Sequence, residues 1–107
     1  MTTPTKRSSI LVVSIEVDPV DVDELHRWYD EEHGPERLAL PGFVSLRRFH
    51  AHDNPNRLLA LYELEYPEAA TSPEYMSQEQ SEWMREVMAK WKQWDRNVWV
   101  EVSSSER

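Results

Sequence analysis

No cysteine occurs among the 107 residues. That removes disulfides, thiolate nucleophiles and cysteine-based zinc sites, and it suits a reducing compartment. Glycine is scarce, at two residues, so the glycine-rich loops that cradle phosphate in Walker or dinucleotide sites cannot be built. Positive charge is short as well: twelve Lys and Arg stand against twenty Asp and Glu, a formal net charge of -8. The basic residues form no stripe that would follow a phosphate backbone, so neither nucleic acid nor an anionic membrane is an expected partner. Long apolar runs are missing too. ILVVSI at Ile10 to Ile15 is shorter than the apolar core of a secretion signal and leads straight into Glu16 and Asp18. The expectation is one cytoplasmic domain, since a chain of this length closes a single core.

What the chain has in quantity is aromatic surface. Five Trp and four Tyr supply large faces with polar handles, suited to cores, interfaces and pockets for flat apolar ligands. Their order follows a pattern of alternating element types. Ile10 to Val17 is rich in β-branched residues and predicts a strand covered on both faces. From Asp21 the period becomes helical, with Val22, Leu25, Trp28 and Tyr29 on one arc and acids in the first turn. Pro35 predicts a break just after His33. Phe43 to His52 alternates as a second strand, with Phe43, Ser45, Arg47 and Phe49 on one face. Asp53 to Asn56 is a turn of about four residues before a third strand, Arg57 to Tyr66. Ser72-Pro73 is a helix start, and Trp83, Met84, Val87, Met88 and Trp91 recur at helical spacing, predicting core and interface contacts. Asn97 to Val102 alternates as a fourth strand.

The order β-α-β-β-α-β predicts a ferredoxin-like α+β fold, a four-stranded antiparallel sheet with both helices on one face. The domain spans residues 10–102, with flexible tails at 1–9 and 103–107. The first and third strands are apolar on both faces, so the uncovered sheet face needs a partner, and a homodimer pairing two such faces supplies it.

The run WYDEEHGPERLALPGF at Trp28 to Phe43 is followed by a strand bearing Arg47 and Arg48, by LLALYELE at Leu58 to Glu65 and by SPEY at Ser72 to Tyr75. Together these resemble the small bacterial proteins of the dimeric α/β barrel superfamily and, within it, the EthD-like proteins, over roughly residues 10–102. The resemblance implies a dimer whose sheets close into a barrel, with a pocket between sheet and helices in each subunit. It also implies mostly cofactor-independent chemistry: monooxygenases on polyketide-like quinols, decarboxylases, lactone isomerases and cyclases. The pocket histidine of the EthD-like H-x-P segment maps onto His33. Gly34 stands where many relatives carry a bulky aliphatic residue, a departure expected to loosen the backbone.

Two readings of His33 stay open from its position at the edge of the apolar arc, i+4 from Tyr29. It is a general acid or base beside an apolar pocket, or a cation capping the helix end. Glu32 falls inside the arc and is expected to pair with Arg37, Arg47 or Arg48. Tyr29 and Tyr62 suit hydrogen bonding to a substrate oxygen, and Trp28 and Trp99 suit stacking on a flat ring, although residues of these types are more often simply core. Arg47 and Phe49 complete the expected substrate-binding set. His50 and His52 share one face of the second strand, but lack the further ligands that a metal requires. No metal or cofactor is expected, and no serine sits in a nucleophile elbow. The expected function is a small acid/base enzyme for a hydrophobic aromatic or polyketide-like metabolite. A binding, carrier or accessory protein for such a molecule is the alternative.

Overall fold

A computed structural model describes residues 8–107; of the expected N-terminal tail, residues 1–7 lie outside the described residues. Strand β1 (Ser9–Glu16) begins one residue earlier than its hydrophobic run, because the Ser9 side chain is buried against the Leu64 carbonyl. Leu11 and Ile15 turn one face into the core. Strands β2 (Phe43–Ala51), β3 (Asn54–Leu64) and β4 (Gln93–Val100) complete one sheet in the order β2-β3-β1-β4, every neighbour antiparallel. This is the ferredoxin-like α+β arrangement that the element order predicts. The central pair β1 and β3 is the apolar pair in sequence, and its Leu11, Ile15, Leu58, Ala60, Tyr62 and Leu64 form the buried face. No described helix is long and apolar enough to cross a membrane.

The helical layer departs from expectation in both halves. The first helix does not break at Pro35. Helix α1 (Val22–Trp28) passes into a π-helical turn over Tyr29–His33 and on into α2 (Gly34–Leu38). The Gly34 N–H donates to the Tyr29 carbonyl five residues back. That wider turn inserts one residue before Pro35, where a regular α turn would set the proline ring against the carbonyl four residues earlier. Gly34 is therefore tight rather than loose: a Cβ built on it would lie 2.6 Å from the Tyr29 carbonyl oxygen. The second helix is split in two. Ser72 caps α3 (Pro73–Met76) by accepting from the Tyr75 N–H, as its Ser-Pro start predicts. The chain then leaves the helix, and Ser81 caps a separate α4 (Glu82–Met88) by accepting from the Met84 N–H. Met84 and Val87 are core, whereas Trp91 lies beyond the helix end.

The strands differ from the sequence reading at their ends and in one register. The hairpin turn is His52-Asp53, since Ala51 already pairs with Asn54. Strand β4 starts four residues early, at Gln93, and Val102 is outside it. In β2, Phe43 pairs with Leu64 and Ser45 with Glu63, so Val44 is an extra residue in a β-bulge. The bulge exchanges faces. Phe43 shares the helix side with Leu46, Arg48 and His50, while Ser45, Arg47 and Phe49 turn to the open side of the sheet. Gly42 makes the preceding turn at φ 84°, a conformation natural only to glycine.

Candidate functional site

The side chains of the π-turn converge on one point. Trp28 is fully buried, and its indole stacks on the His33 imidazole with centroids 4.2 Å apart and planes 15° from parallel. Tyr29 meets both rings edge-on, at 5.0 Å from Trp28 and 5.1 Å from His33. Beneath Tyr29, the Arg48 guanidinium lies 4.2 Å from the ring centroid. It also donates to His26 Nδ1 at 2.9 Å and approaches Asp30 at 3.8 Å.

Glu32 is paired, but not with an arginine. Its Oε2 accepts from Trp28 Nε1 at 2.9 Å and from Ser81 Oγ at 2.6 Å. The expected ion pair gives way because Trp28 Nε1, one helical turn back, reaches the carboxylate first, and Ser81, the α4 cap, closes over it. One carboxylate oxygen thereby joins the two helical halves and holds the indole against His33.

A cavity of about 200 Å³ opens beside this cluster. His33, Tyr29 and Arg37 form one wall from the first helical half. Gln80, Met84, Met88 and Trp91 form a second, Tyr75 a third, and Val13, Trp94 and Arg96 the sheet floor. Val13 sits on the core face between Leu11 and Ile15 yet remains half-buried, because the cavity leaves it uncovered. Arg37 and Arg96 both lie over Tyr75, at 4.4 Å and 5.1 Å from its ring centroid. Arg37 donates to Gln78 Oε1, and Arg96 to the Ala70 carbonyl at 2.7 Å and the Tyr75 hydroxyl at 3.3 Å.

The electrostatics follow from burial. His33 is 8 % exposed, and loss of hydration, reinforced by Arg37 and Arg48, pulls its pKa down to about 3. The ring is neutral at physiological pH. That suits an imidazole able to accept a proton or a hydrogen bond better than a cationic helix cap. Tyr29 and Tyr62 are pushed well above the ordinary phenol value, chiefly by burial, so both stay protonated. Among the described residues, three buried side-chain polar atoms have no hydrogen-bond partner: His33 Nδ1, Tyr62 Oη and Trp91 Nε1. Two of the three belong to residues that line the cavity, an arrangement that normally signals a missing ligand or water.

Of the residues singled out in the sequence, His33 and Tyr29 meet at the cavity and Trp28 and Glu32 stand behind them. Tyr62 lies deeper, edge-on to Phe43 at 5.5 Å, and does not line the wall. Arg47, Phe49 and Trp99 belong to the opposite side of the sheet. The β2 bulge moved the first two, and pairing of Trp99 with Ile10 fixes the third. His50 Nδ1 donates to the neighbouring Ala51 carbonyl, and no three ligand-type side chains converge among the described residues. The sequence reading took Trp91 as a core or interface residue and Tyr75 only as part of the SPEY motif, and it missed Trp94 and Arg96; all four line the cavity. Extending β4 back to Gln93 by strict alternation would have found Trp94 and Arg96, both on the Val98 face.

No family model matches the chain, and no curated protein matches it in sequence. Solved structures match its fold. A monooxygenase from the gene ActVA-Orf6 of Streptomyces coelicolor, solved with nanaomycin D, superposes with a TM-score of 0.75 at 13% identity, over 95% of this chain and 94% of that one. A candidate antibiotic biosynthesis monooxygenase from Bordetella bronchiseptica gives 0.74 at 15% identity, over 92% and 99%. A dimeric ferredoxin-like protein from an uncultured marine organism gives 0.71 at 16% identity, over 94% and 93%. At these identities the likeness is one of fold: the chain has the ferredoxin-like fold of these proteins.

Proposed function

We propose that this chain is a cofactor-independent enzyme of the EthD-like kind, acting by proton transfer on a hydrophobic aromatic or polyketide-like molecule held in the cavity. The observation that carries this reading is the neutral His33, fixed by the Trp28 stack at the wall of an aromatic-lined cavity. A base must be unprotonated before it acts, and burial keeps His33 so. Tyr29, protonated and adjacent, is placed to donate to the oxygen where negative charge develops once a proton leaves. The fold shared with a monooxygenase that was solved with the ligand nanaomycin D supports a small-molecule ligand for this fold.

The same reading includes a homodimer. The open side of the sheet carries Val12, Leu59 and Leu61 at its centre, with the exposed Phe49 and Trp99 at its flanks. Pairing two such faces removes them from water. A binding or carrier role is the second reading, and the depressed basicity of His33 favours it, because an imidazole this reluctant to hold a proton is a weak base when the cavity is empty.

The experiment is to identify a ligand by thermal shift, then recover and weigh it by mass spectrometry after incubation with wild type and with His33→Ala. A compound altered by wild type and unaltered by His33→Ala supports the enzyme. A compound recovered unchanged under every condition supports the carrier, and undiminished turnover by His33→Ala removes His33 from the mechanism.

A further inference from the structure

We propose that the cavity selects a planar ligand bearing an anionic oxygen, a carboxylate or an acidic phenolate, which docks against Arg37 and Arg96, the two guanidinium groups over the Tyr75 ring. The proposal rests on that cavity being the ligand site.

The protein carries a formal charge of -8, yet the cavity wall includes two guanidinium groups and no carboxylate. Among the described residues neither Arg37 nor Arg96 takes part in an ion pair; the pairs are Arg27–Glu31, Arg48–Asp30, Lys90–Glu24 and Lys92–Asp18. Of the three half-buried arginines Arg48 has Asp30 within reach, whereas Arg37 and Arg96 share one cavity wall with no carboxylate on it. A guanidinium left this way has no anionic partner for its remaining donors, and a carboxylate or phenolate supplies one. Glu32, the nearest acid in sequence to His33, does not serve, since its Oε2 is taken by Trp28 and Ser81.

Both arginines are held in place before a ligand arrives. Arg37 is tied by Gln78 and Arg96 by the Ala70 carbonyl and the Tyr75 hydroxyl, each using only part of its five donors. Tyr75 holds them together, because both guanidinium groups lie over its ring. The rest of the wall is flat or apolar, with Trp91, Trp94, Met84 and Met88, and Trp91 Nε1 offers a further unpaired donor. The shape therefore fits a conjugated ring with one charged oxygen rather than a neutral polyketide. An anion there also offsets Arg37, one of the two cations that reinforce the burial holding His33 neutral, so its arrival makes the imidazole a better base.

The test compares 2-naphthoate with 2-naphthamide, matched in shape and different in charge, by calorimetry and by NMR of the His33 ring in the full chain. The acid is expected to bind about tenfold or more tightly than the amide, the scale of one charge-assisted hydrogen bond. That preference is expected to fall away in Arg37→Gln and Arg96→Gln and to persist in Arg37→Lys. Bound naphthoate, and not naphthamide, should raise the pH at which the His33 ring titrates. Equal binding of acid and amide overturns the anion preference while leaving the cavity as the ligand site. Failure of both to move the His33 signals overturns the two together. Selective binding of acids without any turnover leaves the anion site standing and sinks the enzyme.

Discussion

Ser81 Oγ and Glu32 Oε2 lie 2.6 Å apart, and across that contact the N-cap of one helix grips the acid that holds Trp28 beneath His33. The hydroxyl is used twice, accepting from the Met84 N–H and donating to the carboxylate. The geometry of the site therefore depends on a pair of residues that do not touch the cavity.

Glu32→Ala is expected to destabilise the protein by about 1–3 kcal/mol, the cost of leaving the buried indole N–H without an acceptor. Glu32→Gln, which keeps an oxygen acceptor, should lose much less. Thermal unfolding measures the loss, and the ring-current shift that Trp28 imposes on the His33 protons reports whether the stack survives. A Glu32→Ala protein as stable as wild type would show that the clasp holds nothing.

Acid sensitivity follows from His33. Its folded pKa, about 3, lies below the ordinary 6.5, so between those values the unfolded chain binds the extra proton and the folded one refuses it. The stability it contributes is complete above pH 6.5 and is lost as pH falls through the window toward 3. At pH 5 the loss is about 2 kcal/mol from this residue alone. His26, lowered by burial and by Arg48, acts in the same direction. Denaturant melts at several pH values should show a shallower acid slope for His33→Phe than for wild type, and identical slopes would place His33 in water.

Gly34→Ala reverses the usual sign. Alanine in a helix normally gains about 0.5–1 kcal/mol over glycine, but here its Cβ would meet the Tyr29 carbonyl at 2.6 Å and Leu46 at 3.1 Å. We expect a loss of about 1–3 kcal/mol, on the scale of overpacking a filled site. A melting temperature raised by Gly34→Ala would show that the π-turn is not closed in this way.

The open face is tested by charge. Leu61→Lys sets an ammonium in the middle of the apolar patch formed with Val12 and Leu59, without touching the helix side. Analytical ultracentrifugation should find wild type as a dimer and the variant as a folded monomer at the same concentration. A monomeric wild type would remove the dimer.

The sheet and its topology were legible because hydrophobic periodicity survives wherever a whole strand is buried, as in ILVVSI and LLALYELE. The helix start at Ser72 was legible because a cap is a local matter, one hydroxyl on one N–H. The π-turn was not, because Pro35 signals a break by its own chemistry and the accommodation comes from hydrogen bonding five residues back. The floor of the cavity escaped for a different reason. Gln93 to Asn97 is strand by pairing with β1 alone, and its inward residues Trp94 and Arg96 line a hole, where alternation of hydrophobicity has no cause to appear. Glu32 was recognised as an inward acid, but its partner Ser81 lies forty-nine residues away in sequence, beyond the reach of any spacing argument.

Val44 has the least chemistry of any residue in β2 and decides the most. It is the one position in that strand whose deletion leaves every other side chain on the side it already occupies, because Phe43 would then meet Leu64 and Ser45 would meet Glu63 in an unbroken ladder. Straightening the strand with Val44 retained does the opposite, turning Arg48 out from under Tyr29 and bringing Arg47 in. A relative one residue shorter here would keep its arginine beneath the helix, so an alignment that counts residues through this strand pairs the wrong arginines.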